Sequence, residues 1–126
     1  MIRVIVAGSR DFNNQDVFDN AMTAYLPDVP NSEIEIISGG CRGADTMAEE
    51  YAKYWGMKFR EFPAYWNQYG KSAGPRRNER MAQYAAEGER GILIAFPIGE
   101  SRGTRNMVKL AKQYGLEVHV TECDGL

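Results

Sequence analysis

Cysteine is scarce in this chain of 126 residues: Cys41 stands in a glycine-rich stretch and Cys123 near the tail. Neither belongs to a CxxC pair or a Cys/His ligand spacing, so neither a disulfide framework nor a structural zinc is expected, and no metal site is assigned. Histidine is scarcer still. His119 is the only one and falls in the last apolar run, leaving no imidazole near Cys41 in sequence to activate it as a nucleophile. No segment approaches the ~20 apolar residues of a membrane span, and the opening Ile2-Arg3-Val4-Ile5-Val6 meets Gly8 too soon for a secretory signal. A cytoplasmic protein with no membrane partner is expected. Positive charge is not in excess either, and a formal net charge of -2 argues against holding nucleic acid by bulk electrostatics.

What is present is the composition of a folded globular protein, 44% apolar and 25% charged, in a length suited to one domain over residues 1–126. Five short apolar runs, Ile2–Ala7, Ile34–Ser38, Met57–Phe62, Gly91–Phe96 and Leu116–Thr121, read as strands. Four amphipathic stretches separate them. The first runs from Asp16 to Tyr25 and is ended by Pro27 and Pro30; the second runs from Ala44 to Trp55 and stops at Gly56. The third opens at Pro75 and the fourth near Thr104, closing at Gly115. Strict β-α alternation predicts a doubly wound, Rossmann-like three-layer α/β/α domain, with a five-stranded parallel sheet in the order 3-2-1-4-5. The connection from Pro63 to Gly74 is long for such a unit, and long connections are often functional.

Ligands of open α/β sheets sit beyond the carboxyl ends of the strands. Four loops fall there. Gly8-Ser9-Arg10-Asp11-Phe12 offers close backbone approach, a hydroxyl and a guanidinium fork, although the tripeptide alone is weak evidence and a tight turn with an exposed arginine accounts for it more simply. Ser38-Gly39-Gly40-Cys41-Arg42-Gly43-Ala44-Asp45 runs straight into a helix, a layout that offers backbone N–H groups and the positive dipole end to a phosphate. It is neither a Walker loop nor a GxGxxG fingerprint. Asp45 can meet a ribose hydroxyl or serve as a first-turn carboxylate, and Cys41 reads as a small residue in a tight place. In the third loop Trp66 and Tyr69 can stack on a base or cap the core, while Lys71, Arg76 and Arg77 stand at a helix mouth. In the fourth, Arg102, Gly103, Thr104 and Arg105 open a helix that Thr104 can cap. Nearly half of the fifteen basic residues thus map to these loops, which favours a focused anion site.

The motifs GSRDF, SGGCRGAD, W-x-x-x-G-K-x-A-G-P-x-R-N-x-x-M and G-T-x-x-M resemble the YspA-type branch of the SLOG superfamily, in the right order along almost the whole chain. The resemblance implies a Rossmann-like fold and a pocket for a nucleotide or nucleotide derivative. Its ligand-binding residues would be Gly8, Ser9, Arg10, Gly39, Gly40, Gly43, Asp45, Trp66, Gly74, Arg77, Asn78, Gly103 and Thr104, to which the loop charges add Arg42 and Lys71. No cofactor is required beyond a nucleotide-like ligand, and relatives often form homodimers. Distant relatives include cytokinin-activating phosphoribohydrolases, whose GGxGTxxE glutamate is replaced here by Met107. A thioether is neither acid nor base, so no catalytic residue is assigned. Asp11, Asp45 and Glu100 are the carboxylates that a nucleoside-phosphate N-glycosidic hydrolase or transferase would have to use instead. Another relative, a DNA-processing protein that loads recombinase, makes a single-stranded nucleic-acid module the third reading, and the acidic balance of the chain argues against nucleic acid as a partner.

Overall fold

The computed structural model describes residues 1–123. Five strands, β1 (Ile2–Gly8), β2 (Ile34–Ser38), β3 (Lys58–Glu61), β4 (Arg90–Phe96) and β5 (Glu117–Val120), form one sheet in the order β3-β2-β1-β4-β5. Every pairing is parallel. The expected Rossmann-like topology is therefore the one found. Five α-helices lie between them: α1 (Gln15–Tyr25), α2 (Ala44–Trp55), α3 (Trp66–Tyr69), α4 (Ala73–Ala86) and α5 (Arg102–Gln113).

The central strands bury both faces, which is why they read as continuous apolar runs. Alternate side chains enter two separate cores. Val4, Val6, Ile36, Ile92, Ile94 and Phe96 pack with α1 and α2, whereas Ile5, Ile37, Leu93 and Ala95 pack with α4 and α5. Alanines let α2 approach closely: Ala44, Ala48 and Ala52 lie at helical spacing and are fully buried. The helix stops at Gly56, whose φ of 71° is open to glycine at no steric cost.

Several boundaries differ from the sequence reading, most by one residue. Strands β3 and β5 are edge strands with one pairing neighbour each, and they are shorter than their apolar runs. Helix α4 starts at Ala73, placing Pro75 inside its first turn, where a missing N–H costs nothing. Helix α5 starts at Arg102 with Ser101 at the N-cap, so Thr104 does not cap it. The long connection carries a four-residue helix, α3, and a 3-10 turn over Gly70–Ser72.

Candidate functional site

Beyond the carboxyl ends of β1 and β4, where the strand order reverses, lies a cavity of about 620 Å³. Its walls come from the end of β1, the loops after β1 and β2, Trp66 of α3, and facing residues of α4 and α5. The first loop is fixed from below. Phe12 is buried and stacks on Phe96 with ring centroids 4.7 Å apart, while the Ser9 amide donates to the Phe96 carbonyl at 3.1 Å. This anchoring role of Phe12 was not visible in the sequence, because one aromatic residue after a turn has no pattern.

Three amides of the second loop, those of Gly39, Gly40 and Cys41, are taken up within the chain. Asp45 turns back from the first turn of α2, and its Oδ2 accepts the N–H groups of Gly39 and Cys41, each at 3.1 Å. The Gly40 amide donates to Ser38 Oγ at 3.3 Å. A carboxylate of the chain itself therefore fills the loop's anion position. Burial raises the Asp45 pKa to about 6, against the lowering effects of the two amides and of Arg77. The glycines answer to packing as well. A Cβ on Gly43, at φ 83°, would collide with the Ser9 carbonyl oxygen, and one on Gly8 would stand 2.7 Å from Ala44 Cβ.

Free donors lie on the other wall. Ser101 is the one non-glycine residue with positive φ among the described residues, at 39°, and no side chain caps the amides of α5 behind it. Thr104 Oγ1 accepts from Ser101 Oγ at 2.9 Å, and Thr104 is buried. Asn78, 4% exposed, donates from Nδ2 to the Gly103 carbonyl at 3.2 Å and to Asn106 Oδ1 at 2.9 Å, tying α4 to α5. Arg77 donates from Nε to Asn78 Oδ1 at 3.2 Å and from Nη1 to the Gly39 carbonyl at 3.0 Å, leaving Nη2 without a partner among the described residues. Arg10 has no ion-pair partner among those residues, and Arg102 meets only Glu100, at 3.9 Å between two exposed side chains. Three arginines and the dipole of α5 thus face a space whose lining carboxylates are Asp11 and Asp45.

Of the residues singled out from sequence, Gly8, Ser9, Arg10, Gly39, Asp45, Trp66, Gly74, Arg77, Asn78, Gly103 and Thr104 line this cavity. Gly40, Arg42, Gly43 and Lys71 lie outside the lining. Gly40 approaches Glu61, Arg42 pairs with Asp11 at 3.9 Å, and Lys71 sits exposed in the 3-10 turn. Trp66 is 52% exposed, so it forms a rim beside Gly74 rather than capping the core. Ser101 and Asn106 were missed. Nothing in a serine announces a left-handed backbone, whereas Asn106, one helical turn after Gly103, was legible as a neighbour of the same face.

Met107 and Met81 are buried where they meet the cavity, so the wall at the position of the phosphoribohydrolase glutamate is a thioether. Cys41 lines the cavity with its Sγ 3.8 Å from Arg77 Nη1 and its amide committed to Asp45. Among the described residues no group of three or more acidic, histidine or cysteine side chains is arranged to hold a metal. No helix among them is long and apolar enough to cross a membrane.

Comparison with known proteins agrees with this fold. The Gene 61 protein of Mycobacterium phage D29 is 34% identical over 125 residues, covering 94% of each chain. The C-terminal domain of the PF1911 hydrogenase from Pyrococcus furiosus superposes with a TM-score of 0.52, covering 94% of this chain and 90% of that one. At 13% identity that likeness establishes the fold alone. Residues 2–69 match the family described as YspA, cpYpsA-related SLOG, which spans β1, the glycine-rich loop, Asp45 and Trp66. With its Rossmann-like sheet and a cavity at the strand-order reversal, the chain belongs to the YspA, cpYpsA-related SLOG family and has that family's general nucleotide- and ligand-binding fold.

Proposed function

We propose that this cavity binds a nucleotide or nucleotide-derived phosphorylated small molecule, of the ADP-ribose/NAD-related or nucleoside monophosphate class. The observation that carries the reading is the convergence of Arg10, Arg77 and Arg102 with the uncapped amino terminus of α5 on one apolar-floored cavity. Amides at a helix start and guanidinium forks both match phosphate oxygens, and Met81, Met107 and the Trp66 ring supply surface for a base. The volume of about 620 Å³ is in the range of small-molecule sites. Because Asp45 already accepts the Gly39 and Cys41 amides of the glycine-rich loop, and the α5 start lines the cavity, we assign the phosphate to the α5 side. We favour binding without turnover, since Met107 offers no proton and the buried cavity carboxylate, Asp45, is engaged with two loop amides.

Thermal melting of the purified chain with AMP, ADP, ATP, GMP, NAD, ADP-ribose and a short single-stranded oligonucleotide tests this. A ligand that binds only the folded state raises the melting temperature. One small nucleotide should do so and emerge unchanged on chromatography. Release of free base would favour the hydrolase, and a salt-sensitive shift with the oligonucleotide alone would favour the nucleic-acid module.

A further inference from the structure

A second cavity, of about 540 Å³, lies between α1 and α2 and shares no lining residue with the first. Its α2 wall is Met47, Tyr51, Tyr54 and Trp55, which follow one another on a single face of the helix. The rings form a connected array. Trp55 lies 5.0 Å from Tyr54, nearly perpendicular to it, and 6.1 Å from Tyr51, which itself meets the core residue Phe18 edge-on at 5.8 Å. Asn31 Nδ2 donates to the Trp55 carbonyl at 2.9 Å and fixes this end of the helix. The fold does not need these rings outside: α2 packs inward through its alanines, yet Tyr54 is 80% and Trp55 48% exposed.

The charges of the groove have one sign. Asp19 comes from α1, steadied by Gln15, which donates to its Oδ1 at 2.9 Å, and Glu50 comes from α2. Among the described residues no cation lines the groove, and Lys53 on the same helix is paired with Glu49 at 2.9 Å. Burial, followed by the charge of Asp19, raises the Tyr51 phenol above its ordinary value, as expected of a carboxylate beside that ring.

We propose that this groove docks a basic segment of a partner protein, with an arginine or lysine side chain against Tyr54 and Trp55 and its charge toward Asp19 and Glu50. Aromatic faces attract cations, most strongly where water is displaced, and paired carboxylates steer a basic partner to the groove. A second copy of this chain fits poorly. A two-fold interface sets each patch against itself, bringing Asp19 and Glu50 against their own like charges.

The test uses the full chain labelled with 5-fluorotryptophan, which gives one fluorine resonance each for Trp55 and Trp66, assigned with Trp55→Phe. The probes are an octapeptide alternating arginine with leucine and the same peptide with glutamate in place of arginine. The arginine peptide should shift the Trp55 resonance saturably and leave Trp66 in place, while the glutamate peptide does nothing. Tyr54→Ser, and separately the pair Asp19→Asn with Glu50→Gln, should each weaken binding about ten-fold without lowering the melting temperature, because these side chains are not part of the core. The proposal is overturned by absence of a saturable Trp55 shift, by equal response to both peptides, or by a Trp55 shift that follows protein concentration alone.

Discussion

A Cβ on Gly39 would stand 2.8 Å from Cζ of Arg77, and Arg77 Nη1 donates to the Gly39 carbonyl at 3.0 Å. The absent side chain at Gly39 is what lets this guanidinium lie over the loop and face the cavity. Gly39→Ala should therefore move Arg77 while leaving the fold intact, because its backbone φ is not in the left-handed region and the displaced group is the end of a flexible side chain. Affinity for a phosphorylated ligand should fall about ten-fold or more, the worth of a lost charge-assisted hydrogen bond. Titration calorimetry beside urea unfolding separates the two effects.

Gly43→Ala should behave in the opposite way. Its φ of 83° disfavours any side chain, and the new methyl would meet the backbone carbonyl of Ser9, which cannot swing aside. A loss of roughly 2 kcal/mol or more is expected in urea unfolding.

Asp45 makes stability depend on pH in a definite direction. Its pKa rises from 3.8 to about 6 on folding, so between those values the folded chain holds a proton that the unfolded chain has released. The contribution of this group is most favourable below pH 3.8, falls as pH rises through the window, and is constant above about 6, a swing on the order of 3 kcal/mol. Urea unfolding of the protein minus that of Asp45→Asn, at pH 4 to 7.5, should show this fall. Protonation also removes a negative charge beside Arg77. A ligand bearing a pyrophosphate diester, whose charge is fixed over this range, should bind more tightly as pH falls through about 6.

Asn78 is expected to couple the two helices of the site. Asn78→Ala leaves the Gly103 carbonyl and the Asn106 amide without their donor and should cost about 2 kcal/mol. A double-mutant cycle with Asn106→Ala should be non-additive, because the second change removes a group already orphaned.

The fold was legible because its signals are repeated along the chain. The alanine stripe of α2 and its terminal Gly56 gave both ends of that helix, and the apolar runs of β1, β2 and β4 gave strands buried on two faces. What escaped was local. Four residues of α3 are too few for periodicity, and the start of α5 is set by a strained Ser101 rather than by a capping hydroxyl. At the cavity, the glycines marked loops that border it, for an incomplete reason. They permit close packing, as Gly43 does against Ser9 and Gly39 against Arg77, while Asp45 takes the amides that a phosphate would have used. Spacing along a chain does not reveal that a carboxylate six residues away folds back onto the loop.

The most direct test is amide shift mapping on the nitrogen-15-labelled protein titrated with ADP-ribose, NAD and AMP. Saturable changes should centre on Arg102, Gly103 and Thr104, extend to Arg10 and the Trp66 indole, and shrink in Arg77→Ala. Saturable changes centred elsewhere, as on α1 and α2, or no saturable change with any of the three, would contradict a nucleotide site at the amino terminus of α5.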